Sequence, residues 1–68
     1  MLKSAGREAR IHYLHGTFRL LTDGDYVRCA VTGAMIALDD LRYWSVARQE
    51  AYADAAASLE AERRAAGR

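Results

Sequence analysis

YVRCAVTGAMIALDD, residues 26–40, joins two kinds of sequence, and the position of the join decides the fold. Up to Leu38, apolar residues alternate with polar ones between turn residues, the period of two that marks strands. From Asp39 to Arg64 there is neither glycine nor proline, and alanine, arginine and glutamate dominate, which is helical composition. Within the quoted stretch, Tyr26 to Val31 is a strand with Val27, Cys29 and Val31 facing inward and Tyr26, Arg28 and Ala30 on the other face. Thr32-Gly33 turns the chain, and Met35, Ile36 and Leu38 form a short further strand.

Upstream, Ile11 and Tyr13 share a face, and His15-Gly16 is a tight reversal in which glycine supplies the positive φ of a two-residue hairpin. Thr17 to Leu21 returns, with Phe18 and Leu20 alternating against Thr17 and Arg19, and Thr22-Asp23-Gly24-Asp25 turns again. Downstream, Asp39 or Asp40 caps a first turn carrying Leu41 and Tyr43, and Ser45 is the N-cap of a long helix that Gly67 ends. Tyr52, Ala55, Ala56 and Leu59 form its packing stripe. The expected architecture is α+β: a small antiparallel β-meander of three to four strands over 11–38 and a helical region over 39–66. One domain over 1–68 is expected, with disorder expected over 1–6.

At 68 residues only about 60% of the unfolded surface can be buried, so stability needs help from elsewhere. One cysteine excludes an internal disulfide. Nine Arg and one Lys stand against nine acids, a net charge of +1, too little for bulk attraction to nucleic acid or lipid. With neither a leader pattern nor an apolar run of roughly 18 residues, the expected location is the cytoplasm, away from membranes.

Cys29-Ala30-Val31-Thr32-Gly33 has the outline of a zinc-knuckle hairpin without its metal, because Thr32 stands where the second thiolate belongs. Cys29 with His12 and His15 is the one conceivable ligand set. It falls short of four good donors, and a buried structural cysteine accounts for the residue more simply. No metal or cofactor is therefore expected. Nor is catalysis, since no phosphate loop or nucleophile elbow occurs and so short a chain has little concave surface.

The segment Val27 to Gly33, followed by Ile36, Leu38, Leu41, Tyr43-Trp44-Ser45-Val46 and Arg48-Gln49-Glu50-Ala51-Tyr52, resembles a family of short bacterial proteins classed as a domain of unknown function. The resemblance extends upstream through Ile11, Tyr13-Leu14, Gly16, Phe18 and Gly24. It implies a cytoplasmic bacterial protein and carries no activity.

Two binding functions fit the residues. A protein-interaction module, or a homo-oligomer, would use the helix face of Tyr52, Ala55, Ala56 and Leu59, because a helix from Val46 to about Ala65 would be roughly 30 Å long and overhang its sheet. The alternative is a nucleic-acid-binding face of Arg10, His12, Arg19, Tyr26 and Arg28, with guanidinium groups for phosphates and rings for bases. Trp44 is expected to be largely buried where sheet meets helix.

Overall fold

The computed structural model describes residues 6–67, so the disorder expected over 1–6 lies outside the described residues for 1–5. The chain forms β1 (Arg10–Leu14), β2 (Thr17–Thr22), β3 (Tyr26–Arg28), β4 (Met35–Ala37), a 3-10 turn (Leu38–Asp40), β5 (Tyr43–Ser45), β6 (Glu50–Tyr52) and α1 (Ala55–Ala66). The expected α+β class holds, with antiparallel hairpins and a C-terminal helix. The strands pair two by two, β1-β2, β3-β4 and β5-β6, instead of forming one meander.

The pairing stops between β2 and β3 because the chain leading into β1 takes that place. Ala9 N donates to Tyr26 O at 2.8 Å, Asp25 N to Arg7 O at 2.8 Å, and Glu8 bridges Tyr26 in parallel. Gly24 permits this. A Cβ there would lie 2.4 Å from Ala9 N and 2.6 Å from Arg7 O, backbone atoms with nowhere to go.

The first two hairpins follow their turn residues. Gly16 takes φ 80° in the two-residue β1–β2 turn. In the Cys29 turn, Cys29 N donates to Ala34 O and Gly33 N returns to Cys29 O, both at 2.9 Å. Val27 and Cys29 are buried and Val31 half-buried, as their alternation predicts.

Residues 43–52 depart from expectation, being a third hairpin and not the start of a helix. Ser45 does accept from Arg48 N at 3.0 Å, the bond an N-cap makes, but it closes a single turn. The chain leaves that turn at Gln49, with φ 54°. Helix propensity here is outweighed by aromatic burial: the hairpin sets Trp44 against Ala51 and Tyr43 against Tyr52, leaving Tyr52 1% exposed. Ala51 also bridges Cys29 in parallel and accepts from Ala30 N at 2.8 Å. The 3-10 turn over Leu38–Asp40 has no side-chain cap, although Leu41 just beyond it is buried.

The helix begins after Asp54, whose Oδ1 accepts from Ala57 N at 2.8 Å, and closes at Gly67. Its twelve residues span about 18 Å, so the expected overhang disappears. Ala57 and Ala61, one turn apart, are its buried residues, which corrects the packing stripe expected at Tyr52, Ala55, Ala56 and Leu59. Among the described residues no helix is long and apolar enough to cross a membrane.

Candidate functional site: the open edge of the first hairpin

The β1–β2 hairpin contains the longest strands and buries little. Tyr13 alone is buried, Ile11 and Phe18 are half-buried, and five of the six β2 residues are exposed. Aromatic packing joins the hairpin to the body. Trp44 lies edge-on to Phe18 with centroids 5.7 Å apart and 6.1 Å from Tyr13, and its Nε1 donates to Leu14 O at 2.8 Å. Trp44 is thus half-buried between two hairpins, not at a join of sheet and long helix.

Register settles which backbone groups are free. Leu14 and Thr17 close the two-residue turn and form a hydrogen-bonded pair, so Tyr13–Phe18 and Ile11–Leu20 are the alternating pairs whose N–H and C=O groups point outward. Gln49 marks the outer edge of β1 directly: its Nε2 donates to Tyr13 O and its Oε1 accepts from Tyr13 N, each at 2.9 Å. Gln49 Nε2 also donates to Val46 O at 2.7 Å, which fixes the side chain that its positive φ presents. On β2 the corresponding groups belong to Phe18 and Leu20, and among the described residues nothing pairs with them. Leu20 and Leu21 along this edge are 43% and 59% exposed. Leu21 is the extra residue where the register shifts between Arg10–Thr22 and Ile11–Leu20.

The residues expected to form a nucleic-acid face are divided between hairpins. His12 and Arg19 are direct partners on β1–β2, with Arg10 at the far end of β1. Tyr26 and Arg28 lie on β3, where the Arg28 guanidinium sits 5.5 Å above the Tyr26 ring and its Nη1 donates to Gly33 O. The expected protein interface also separates. Tyr52 is core, whereas Ala55, Ala56 and Leu59 are exposed on the helix, Leu59 at 63%.

The remaining polar groups tie the body together. Tyr52 OH donates to Glu50 at 2.8 Å and accepts from Arg48 Nε at 3.1 Å, and Arg48 Nη2 reaches Glu62 on the helix at 3.2 Å. Burial, and then the Glu50 carboxylate, hold the Tyr52 phenol above its usual value against the opposing Arg48. An open depression of about 410 Å³ between the Cys29 turn and α1 is lined in part by Arg48, Glu50 and Arg64. Its cations are already engaged, Arg48 by Glu50 and Glu62 and Arg64 by Glu60.

Cys29 Sγ accepts from Thr32 N at 3.4 Å. Burial pushes the thiol up, but bonds from the Thr32 hydroxyl and from the N–H groups of Thr32, Ala53 and Val31 outweigh it and leave Cys29 below its ordinary value. Thr32, which stands where a second thiolate would be, donates its N–H to Sγ instead. Among the described residues no three His, Cys, Asp or Glu side chains converge as a metal would require.

Sequence reasoning missed Gln49 and the exposed Leu20-Leu21 pair. The second was open to detection, because two adjacent leucines in an alternating strand cannot both face one core. Gln49 carries no such signal.

A family model described as "Uncharacterized protein conserved in bacteria (DUF2093)" matches residues 20–61. No curated protein and no solved structure matches the chain.

Proposed function

The chain belongs to the uncharacterised bacterial family DUF2093, and within it we propose a small, non-catalytic protein-interaction module of the cytoplasm that docks through the outer edge of β2. The observation that supports this is the outer edge of Phe18-Arg19-Leu20, where the outward backbone groups of Phe18 and Leu20 have no pair among the described residues and exposed leucines lie beside them. Natural edge strands are usually kept short or guarded by proline or lysine. β2 has six residues and neither guard; its protections are Arg19 and the bulge at Leu21. An edge of this kind accepts an added strand by main-chain hydrogen bonds, with side-chain contacts supplying selectivity.

The geometry favours this over nucleic-acid binding. Stacking on bases needs free ring faces. Tyr13 is buried, Phe18 packs on Trp44, and the Tyr26 ring is covered by Arg28.

Affinity capture from the native host, with nuclease present, tests the reading. Wild type and Leu59→Lys should retain the same protein partners, and Leu20→Lys should lose them. Loss of all captured material on nuclease treatment, or full capture by Leu20→Lys, would contradict it.

A further inference from the structure

We infer that the strand accepted by β2 is acidic, with an aspartate or glutamate opposite Arg19 and apolar residues on either side of it. The inference rests on the β2 edge being the docking element and adds the chemistry of what docks there.

Charge supplies the argument. From Arg10 to Thr22 the hairpin carries two arginines, Arg10 and Arg19, and not one aspartate or glutamate. Arg10 and Arg19 are exposed, and the ion pairs of the described residues all lie on Arg48 and the helix, leaving the hairpin's cations unanswered. Arg19 is the central residue of the open edge, between the two residues whose backbone groups face outward. An incoming antiparallel strand that bonds at Phe18 and Leu20 therefore sets one side chain directly opposite Arg19, in the closer, non-hydrogen-bonded type of pair. An acid there is attracted to Arg19, while its neighbours fall opposite Phe18 and Leu20 on the face that also carries Ile11 and Tyr13.

The same register disfavours a second copy of this chain. Self-pairing that uses all the open groups puts Phe18 opposite Leu20 of the other copy, and so brings Arg19 opposite Arg19. Like charges directly opposite are destabilising. Arg19 thus acts as a guard against self-association and as the selector of an acidic strand.

A charge-swap cycle tests this with the full chain and two end-blocked peptides, Ser-Thr-Val-Glu-Val-Thr-Ser and the same peptide with lysine for glutamate. Binding is followed by the amide spectra of residues 17–22. Wild type should bind the glutamate peptide at least about threefold more tightly than the lysine peptide, and Arg19→Glu should invert the order, as expected for an exposed cross-strand charge pair. The Phe18 and Leu20 amides should become protected in the complex, and added salt should narrow the difference.

Equal binding of both peptides overturns the acidic preference and leaves the docking edge standing. A dimer in sedimentation with Phe18 and Leu20 protected in the absence of peptide also overturns it, since the occupant is then a second copy. No perturbation of residues 17–22 by either peptide up to millimolar concentration overturns both readings. So does tighter binding of a twelve-nucleotide single-stranded RNA than of either peptide.

Discussion

The β1–β2 and β5–β6 hairpins are both antiparallel pairs, but they differ in length and in how much they bury. β5 and β6 are three residues each, yet Ala51 and Tyr52 are among the most deeply buried residues, and the pair is tied to the Cys29 turn on one side and to the helix through Arg48 on the other. β1 and β2 are five and six residues, but beyond Tyr13 they are attached through half-buried Ile11, through Trp44, which packs on Phe18 and donates to Leu14 O, and through the Gln49 amide. Strand length is therefore no guide to which hairpin carries the fold. Burial is, and the long hairpin keeps outward backbone groups on β2 that have no pair among the described residues.

The comparison breaks most readily at Tyr52. Tyr52→Ala should cost about 3–5 kcal/mol, as for other large buried aromatics. For a domain this small that is a large part of the total stability, so the thermal transition should be lost or shifted far down. An alanine at Phe18 should cost visibly less. Comparable losses at the two sites would mean that both hairpins carry the core equally.

Gln49→Ala tests the attachment. It strands the Tyr13 N–H and C=O in a part-buried place, at about 1–3 kcal/mol, and alanine keeps the strain of the positive φ. Amide exchange at Tyr13 and within β1–β2 should quicken while Cys29 and Ala30 stay protected. Uniform quickening of all amides would show that the hairpin does not open separately.

Cys29 gives a smaller, pH-dependent effect. Its folded pKa lies below the ordinary thiol value, so the stabilisation of its thiolate is fully present above the unfolded value, near 8.5, and is lost as pH falls through the folded one. Stability should therefore rise with pH across that interval in wild type and not in Cys29→Ala. Thiolate absorbance near 240 nm should develop at lower pH in folded than in unfolded protein, and Thr32→Val should shift it upward. Ionisation at or above the unfolded value would remove the donors around Sγ from the account.

Leu20→Lys should be the mildest change to the fold, within about 0.5 kcal/mol, because Leu20 is an exposed edge residue outside the core. A large drop in melting temperature would mean that the edge is already packed.

How much of this was legible in the sequence depended on whether the deciding residues act locally. His15-Gly16 and Thr32-Gly33 identify their turns because glycine or turn chemistry is needed there. The third hairpin carried a misleading local signal: Ser45 makes a genuine capping bond, and the residues after it favour helix. Gln49 in the left-handed region, and the burial of Tyr52 and Ala51 against parts of the chain far away in sequence, decide otherwise. That error moved the start of the helix to Val46 and created an overhanging face that the protein lacks. The candidate arginine and aromatic face is divided between two hairpins for a related reason. Alternation assigns residues to faces within a strand but cannot say that β2 and β3 belong to separate sheets.

The central claim is that the outer edge of β2, which has no pair among the described residues, is open. Native-state amide exchange of the full chain, free in solution, tests it most directly. The Phe18 and Leu20 amides should exchange at nearly the rate of an unstructured chain, while Cys29 and Ala30, bonded to Ala34 O and Ala51 O, exchange far more slowly. Protection of Phe18 and Leu20 equal to that of Cys29 and Ala30 would contradict it.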